Sequence, residues 1–285
     1  MRQRAEGPAV SATTATTAGA ALAAATEVLA AAGCDTPRLD AEVLVADTLG
    51  IGRASLAADP ERPVAGAEAE AIGERVRRRA AREPVAYIRG RRGFRRIELE
   101  VDRRVLIPRP ETELLVEVAL ELPAGARVHE VGTGSGAVAL ALADERPDLR
   151  VSASDLSPDA VAVARANAAR LDLDVAIEVA DALPPRLARP GAAPDLVLAN
   201  LPYVTDGEWD TLAPEIVGYE PRLALTSGPD GLDAIRALVA GCPPGTRLAL
   251  EHGSQQGPAV RALLRDASTR RDLAGHDRVT EGRAP

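Results

Sequence analysis

Short apolar segments alternate with longer helical segments along the second half of the chain. Five short segments, each beginning with Val or Leu, have the length of buried strands, at residues 128–131, 151–154, 175–179, 196–199 and 248–251. Helices are predicted between them, at residues 137–143, 158–169 and 231–240. Strands that alternate with helices in this way form a doubly wound, mostly parallel sheet. The predicted fold class is therefore α/β.

The residues before this region follow a different pattern. Residues 1–17 are rich in Ala and Thr without periodicity, and a flexible leader is expected there. Apolar residues recur at helical spacing over residues 18–84 and are interrupted at Gly33 and Gly50, so a small all-helical N-terminal domain is predicted.

A linker connects the two regions. Pro84 ends the last helix of the N-terminal domain, and the alternating stretch 87–105 predicts a β-hairpin. The hairpin lies in a linker of residues 85–108, and the α/β domain is expected to occupy residues 109–285.

The turn after the first strand of the α/β domain is rich in glycine, with Gly132, Thr133, Gly134, Ser135 and Gly136 in sequence. Glycines allow a tight turn and a close approach of the backbone to a ligand at the carboxyl edge of the sheet, which predicts a nucleotide-like cofactor.

Two carboxylates follow the next two strands. Asp155 closes the second strand, where it can accept hydrogen bonds from both ribose hydroxyls, and Asp181 follows the third strand, where it can bond an adenine amine. The glycine spacing up to Ala137 also satisfies the loose dinucleotide pattern, so S-adenosylmethionine and NAD both stay open at this point.

The fourth strand ends in Asn200, Leu201, Pro202 and Tyr203, at the edge where substrates bind in this architecture. An amide or aryl amine nitrogen is a poor nucleophile because its lone pair is delocalised, so an enzyme must orient the NH2 group. The Asn200 oxygen and a following backbone carbonyl can accept the two N–H bonds while Tyr203 packs against the flat group. This pattern predicts methyl transfer to a planar nitrogen.

Composition excludes several other classes of protein. A formal charge of −8 argues against a protein that coats nucleic acid. Cys34 and Cys242 are too few for a disulfide framework, which favours a reducing cytoplasm. No Cys and His spacing indicates zinc or another metal. No stretch approaches the roughly 20 apolar residues that cross a bilayer.

Further motifs resemble the release factor glutamine methyltransferases, which modify the glutamine of the Gly-Gly-Gln tip in bacterial peptide chain release factors. The resemblance covers about residues 20–280. Its most specific motifs are REPVAYIRG (82–90), VLIPRPETE (105–113), YEPRLAL (219–225), GPDGL (228–232) and GHDRV (275–279).

This resemblance implies a class I methyltransferase domain with a seven-stranded sheet, preceded by a helical domain that helps to dock the release factor and by a hairpin linker. It implies S-adenosylmethionine as cofactor, release factors as protein substrates, and a cytoplasmic monomer without stable nucleic acid binding or metal.

The resemblance also assigns residues by position. The cofactor residues are Gly132, Thr133, Gly134, Ser135, Gly136, Asp155, Asp181, Ala182 and Asn200. The substrate glutamine is taken by Asn200, Leu201, Pro202 and Tyr203, of which Asn200, Pro202 and Tyr203 are expected to be catalytic. The expected mouth of the pocket includes Arg109, Glu111 and Thr112.

The sequence departs from the family pattern at four places. Glu130 stands where the family usually has Asp, and Leu201 replaces the first of two prolines, which removes a fixed φ but keeps the backbone carbonyl. Ala182 replaces a larger, often aromatic residue. The stretch 266–272 is short and polar where a sixth strand is expected.

Three alternative functions stay open. An adenine-N6 methyltransferase acting on ribosomal RNA or DNA would suit the same tetrapeptide, although it would flip its base and normally carry a basic groove. A catalytically silent nucleotide-binding or docking module is a second alternative. An NAD oxidoreductase is the third, and no His or Tyr-Lys arrangement is placed to move a proton for it.

Overall fold

The computed structural model describes residues 16–189 and 191–285. The chain divides into two compact units, one up to Arg89 and one from Gly90 onward. Among the described residues, no helix combines the length and the apolar character required to cross a membrane.

The first unit is helical, as the periodicity predicts. Its helices are α1 (Ala18–Ala31), α2 (Pro37–Thr48), α3 (Arg53–Ala58), α4 (Gly66–Ala80) and α5 (Val85–Arg89). Its two short strands, β1 (Thr16–Thr17) and β2 (Pro63–Val64), pair antiparallel.

The predicted leader reaches two residues too far. Thr16 and Thr17 belong to β1, and the Thr17 hydroxyl accepts a hydrogen bond from Ala20 N at 3.2 Å, which caps α1. The prediction of a flexible segment is wrong for these two residues, because a cap and a strand pair satisfy their polar groups. The rest of the predicted leader, residues 1–15, lies outside the described residues.

An apolar core with one buried ion pair holds the first unit together. Leu22 and Leu29 of α1 pack in one cluster with Val45 of α2. At the edge of this cluster Arg79 Nε lies 2.7 Å from Asp40 Oδ2, and both side chains are buried. The charges are therefore neutralised locally, as buried charges require.

The hairpin is shorter than the alternating sequence predicts. Strands β3 (Arg91–Phe94) and β4 (Ile97–Glu100) form it in the second unit. The prediction of extended structure is wrong for the first residues of this stretch, from Tyr87 to Arg89, because they belong to helix α5. The Pro84 carbonyl accepts hydrogen bonds from Tyr87 N at 3.0 Å and Ile88 N at 3.1 Å, and a helical turn buries both side chains.

The second unit contains the predicted α/β domain. Its further strands are β5 (Arg127–Val131), β6 (Arg150–Asp155), β7 (Ala176–Val179), β8 (Leu196–Ala199), β9 (Arg247–Glu251), β10 (Arg265–Arg271) and β11 (Asp277–Arg283). Its helices are α6 (Glu113–Leu120), α7 (Ala137–Glu145), α8 (Pro158–Arg170), α9 (Pro214–Tyr219), α10 (Asp233–Gly241) and α11 (Gly257–Arg261). All five strands predicted from the apolar segments are confirmed.

These strands form one seven-stranded sheet in the order β10-β11-β9-β8-β5-β6-β7. Strands β5 to β9 run parallel, and β11 and β10 are added antiparallel at one edge. The strand order reverses between β5 and β8, which is where ligands bind in open α/β sheets. The topology confirms the class I methyltransferase fold.

The edge strand that the sequence left undefined is present. Residues Arg265–Arg271 pair with β11 although most of their side chains are exposed or half-buried. Hydrogen bonding to β11, rather than burial of apolar side chains, defines this strand.

Helices cover both faces of the sheet. Val197 of β8 and Leu248 of β9 pack in one cluster with Ile235 and Leu238 of α10. Because alternate residues of a strand point to opposite faces, Leu196 and Leu198 point to the other face, where they are fully buried. Helix α6 contacts both β8 and β9. Because β8 and β9 are buried on both faces, nearly all of their residues are apolar.

One buried side chain ties the hairpin to the glycine-rich turn. Asn167 of α8 is fully buried and accepts a hydrogen bond from Glu100 N at 2.8 Å. Its Nδ2 donates to Glu100 O and to Ser135 O, both at 3.0 Å. The amide therefore satisfies three backbone groups from two separate segments.

We expect Asn167→Ala to destabilise the second unit by about 2–3 kcal/mol, because buried backbone groups lose their partners. Urea unfolding followed by the fluorescence of Trp209, the single tryptophan, measures this change in the same unit. The control is Ala166→Ser, an exposed position on the same helix, which should stay within about 0.5 kcal/mol of wild type. Equal stability of the two variants would contradict the structural role of Asn167.

Candidate active site

A cavity of about 290 Å³ lies at the carboxyl edge of the sheet. Its wall contains residues from the turns after β5, β6, β7 and β8, and from the segment before α6. The predicted site residues in this wall are Gly132, Thr133, Gly134, Ser135, Asp155, Asp181, Ala182, Asn200, Leu201 and Pro202. Gly136 and Tyr203 are the predicted residues that the wall does not include.

The turn after β5 requires glycine for two different reasons. Gly132 has φ of +77°, and a Cβ there would lie 3.0 Å from Leu201 Cδ2. Gly136 has φ of +87° and begins α7, where a Cβ would lie 2.8 Å from Leu140 Cδ1. Gly132 therefore lets the turn approach the segment after β8, whereas Gly136 lets α7 start.

Glu130 stabilises this turn by accepting two hydrogen bonds. Its Oε2 accepts hydrogen bonds from Thr133 Oγ1 at 2.7 Å and from Ala139 N at 2.9 Å. Burial raises the pKa of Glu130 to about 8, against the effect of these two hydrogen bonds. The extra methylene relative to Asp is accommodated, because the carboxyl still reaches the start of α7.

Asp155 ends β6 with both oxygens engaged. Oδ2 accepts from Gly134 N at 2.8 Å, and Oδ1 accepts from Ser157 N at 2.9 Å. Burial raises the pKa of Asp155, and the two backbone hydrogen bonds oppose that effect. Each carboxylate oxygen has a second lone pair, so Asp155 is held in place and can still accept hydroxyl groups.

The wall beyond Asp155 contains one large apolar side chain and one carboxylate. Leu156 lines the cavity and is 51% exposed. Asp181 and Ala182 follow β7 in the same wall, and Ala182 has φ of +57°. With Ala at position 182, Leu156 is the large apolar side chain available to a flat ring here, and sequence reasoning missed it.

The segment after β8 faces the glycine-rich turn. Asn200, Leu201 and Pro202 line the cavity, and Asn200 Nδ2 donates to Thr112 Oγ1 at 3.0 Å. Leu201 packs over Gly132, so the residue that replaces proline contacts the cofactor turn. Arg109 and Thr112 also line the cavity, whereas Glu111 does not.

Tyr203 follows the lining residues Asn200 to Pro202 and does not itself line the cavity. Burial, with a smaller contribution from the charge of Glu251, raises the pKa of its phenol to about 12. Its carbonyl accepts a hydrogen bond from Gln256 Nε2 at 3.0 Å. Gly231, with φ of +74°, passes so close that a Cβ would lie 2.1 Å from this oxygen. Gly231 of the GPDGL motif therefore packs against the backbone of the segment after β8.

Two buried carboxylates at the site escaped the sequence analysis as functional residues. Glu220 accepts hydrogen bonds from Ile107 N at 3.1 Å and from Arg109, which holds the segment before α6. Glu251 ends β9 and is 1% exposed. For Glu251 the available signal is a charged residue at the end of an apolar strand, whereas Glu220 follows a helix and has no such signal.

The cavity suits the adenosyl and methionyl parts of S-adenosylmethionine. Asp155 and Asp181 supply acceptors for hydroxyl and amine groups, and Leu156 supplies an apolar surface. Ser135 Oγ is buried without a hydrogen-bond partner among the described residues, although Ser135 lines the cavity. The glycine-rich turn leaves room for a ligand, since a Cβ at Gly134 would meet nothing within 4 Å.

Comparisons with known proteins point to one family. Residues 20–90 match the family model described as PrmC N-terminal domain, and residues 128–218 match the model described as methyltransferase domain. The release factor glutamine methyltransferase of Cereibacter sphaeroides is 44% identical over 282 residues, which cover 93% of this chain and 98% of the relative. That of Xylella fastidiosa (strain Temecula1) is 44% identical with the same coverage of both chains.

The chain belongs to the release factor glutamine methyltransferase family. The release factor glutamine methyltransferase of Salmonella typhimurium is 40% identical over 87% of this chain and 93% of the relative. Family membership confirms the relationship that the motifs indicate, and it identifies the protein as a methyltransferase. It also settles the cofactor that the glycine spacing left open, which is S-adenosylmethionine.

We expect Glu130→Gln to alter how stability depends on pH. The pKa of Glu130 rises from 4.5 in the unfolded chain to about 8 in the fold, so its contribution is complete below pH 4.5 and is lost as the pH approaches about 8. Glutamine keeps an acceptor for Thr133 and Ala139 but does not titrate. The stability of the variant relative to wild type should therefore increase between about pH 5 and about pH 9.

Urea unfolding at these two pH values measures the difference. The control is Ala166→Ser, an exposed position of the same unit, which adds no titratable group and for which the difference from wild type should not change with pH. A constant difference for Glu130→Gln as well would show that Glu130 stays ionised in the fold.

Proposed function

We propose that the protein transfers a methyl group from S-adenosylmethionine to the side-chain amide nitrogen of the Gly-Gly-Gln glutamine in peptide chain release factors. The observation that carries this proposal is the shared cavity, in which the segment from Asn200 to Pro202 lies directly against the turn at Gly132. The names of the relatives support the release factor as substrate.

The chemical problem is the weak nucleophilicity of an amide nitrogen. When bound, S-adenosylmethionine supplies the methyl group: its carbon–sulfur bond breaks with the electron pair left on sulfur, a carbon–nitrogen bond forms, and the nitrogen releases one proton to water. The protein must hold the NH2 group so that its lone pair develops along the line of attack. Orientation of this kind contributes up to about 7–11 kcal/mol.

The segment after β8 has the groups for this task. The Asn200 side-chain oxygen accepts one N–H of the glutamine amide, and a backbone carbonyl of the same segment, offered by Leu201 as by proline, accepts the other. Pro202 shapes the wall beside the amide. Tyr203, which does not line the cavity, anchors the segment through its carbonyl and packs against the substrate only if the glutamine reaches past Pro202.

The other side of the cavity holds the cofactor in this proposal. Asp155 accepts the ribose hydroxyls, and Asp181 with Ala182 borders the adenine. The backbone from Gly132 to Ser135 surrounds the methionyl part, and Gly136 contributes through the start of α7. Asn200 borders both ligands, since its carbonyl would lie 3.6 Å from a Cβ at Gly132.

We also infer that the protein acts in the cytoplasm, as a monomer, and without stable binding to nucleic acid. Both cysteines are buried as free thiols, which suits a reducing compartment. A formal charge of −8 disfavours the phosphate contacts that an RNA or DNA methyltransferase needs.

The proposal predicts that the purified protein transfers labelled methyl groups to a bacterial release factor. The matched control is the same release factor with Ala in place of the Gly-Gly-Gln glutamine, which should stay unlabelled. Ribosomal RNA and DNA are tested in parallel. Label in both release factors, or in nucleic acid alone, would contradict the proposal and favour the adenine methyltransferase.

A second prediction separates substrate from cofactor residues. Asn200→Ala should lower kcat on the order of 100- to 1,000-fold, because one oriented partner of the reacting group is lost. Its affinity for S-adenosylhomocysteine, measured by calorimetry, should change little. Asp155→Asn is the matched counterpart and should weaken that affinity. A large loss of affinity in Asn200→Ala would instead make Asn200 chiefly a cofactor ligand.

A further inference from the structure

Gln256 lies just before α11, and its side chain connects three segments at the carboxyl edge of the sheet. Its Oε1 accepts a hydrogen bond from Gly253 N at 2.8 Å. Its Nε2 donates to Tyr203 O and to Asp230 O, both at 3.0 Å. One half-buried amide therefore joins the turn after β9, the segment after β8 and the loop before α10.

The three partners fix the orientation of this amide. A backbone N–H only donates and a backbone carbonyl only accepts. The Gln256 oxygen must therefore face Gly253, and its NH2 group must face the carbonyls of Tyr203 and Asp230, which take one proton each. Glutamate has the same length but no N–H group, so it could satisfy Gly253 and neither carbonyl.

The acceptor end of Gln256 has a fixed partner, because His252 holds Gly253. Nδ1 of His252 lies 2.9 Å from Gly253 O, and Nε2 lies 2.8 Å from Thr280 Oγ1 of β11. Burial lowers the pKa of His252, which favours the neutral ring. Its one proton lies on Nδ1, since the carbonyl of Gly253 needs a donor. Gln256 is thus anchored to the end of β9 and, through His252, to β11.

The segment that Gln256 contacts is fixed at both of its ends. Ala199, the last residue of β8, pairs with Leu250 of β9. Beyond the segment, Val204 forms a parallel bridge with Thr226. The cavity-lining residues 200–202 lie between these two points. The carbonyl that Gln256 binds follows directly after them, so a shift of this carbonyl moves the end of the lining segment.

Two glycines allow the three segments to meet at this amide. A Cβ at Gly231 would lie 2.1 Å from Tyr203 O and 2.7 Å from Gln256 Nε2. A Cβ at Gly253 would lie 3.0 Å from Gln256 Oε1 and 3.7 Å from Cδ2 of Tyr203. The Gln256 amide therefore fills a space that exists because both positions lack a side chain.

We propose that Gln256 is a positioning residue, which holds the carbonyl of Tyr203 and thereby sets the position of Asn200 to Pro202 for the methyl-accepting nitrogen. This inference rests on the proposed function and adds a residue that does not line the cavity. A misplacement of about 1 Å in the groups that orient a substrate costs on the order of 100-fold in rate. Gln256 should therefore affect the rate of transfer more than the binding of either ligand.

The proposal predicts slow transfer by Gln256→Glu. The substitution keeps the acceptor for Gly253 but places a carboxylate oxygen against two carbonyl oxygens, so the carbonyl of Tyr203 should be displaced. We expect kcat for methylation of the release factor to fall about 10- to 100-fold. KM for the release factor and the affinity for S-adenosylhomocysteine, measured by calorimetry, should stay within about threefold of wild type.

The matched control is Gln255→Glu, which adds the same charge one position earlier at an exposed residue. Its kcat should stay within about twofold of wild type.

A double-mutant cycle tests whether Gln256 acts through the segment that carries Asn200. Positioning matters less once the positioned group is gone. The loss of kcat in the double variant of Asn200→Ala and Gln256→Glu should therefore be smaller, by about threefold or more, than the product of the two single losses.

Four outcomes would overturn the proposal once wild-type protein is shown to label the release factor. They are an unchanged kcat in Gln256→Glu, an equal loss of kcat in Gln255→Glu, a parallel loss of S-adenosylhomocysteine affinity, and fully multiplicative losses in the cycle. If urea unfolding shows that Gln256→Glu does not fold, Gln256→Met removes both donors without adding charge and takes its place in each comparison. Absence of labelling by wild type would contradict the proposed function itself.

Discussion

The parallel pairing of β5 with β8 is the constraint on which the site depends. Val131 lies opposite Ala199 in this pair, so the chain leaves both strands at the same level, as Gly132 and Asn200. The two segments would collide if residue 132 had a side chain, because Leu201 occupies that space. Strand register and one missing Cβ thus bring the glycine-rich turn and the segment after β8 together, and in the proposed function these two segments hold the methyl donor and the acceptor.

Much of this arrangement could be predicted from the sequence, because β8 and β9 are largely apolar and the inner strands alternate regularly with helices. The five inner strands, the glycine-rich turn and the carboxylate after β6 follow from such local patterns. Edge strand β10 has no apolar signal, since hydrogen bonds to β11 define it. Helix α5 was missed because its few residues, among them Tyr87 and Ile88, are also compatible with an alternating strand pattern.

The supporting carboxylates were harder to predict, because their partners are remote in the sequence. Glu220 binds the backbone of Ile107 and the side chain of Arg109, in both cases more than a hundred positions away. A sequence reveals that a strand ends in a charged residue, but only the folded sheet shows what that residue contacts. Glu130 differs, since its partners Thr133 and Ala139 are local and its role is to hold one turn.

The polar edge strand has a consequence for how the protein behaves in a crowded cell. A sheet edge offers unpaired backbone groups to any other strand, and charged side chains on that edge discourage such pairing. Strand β10 includes Arg265, Asp266, Arg270 and Arg271, and contributes little to the apolar core. Its sequence is therefore free to vary for solubility and resistance to aggregation, while the inner strands remain constrained by packing and by the ligands at their ends.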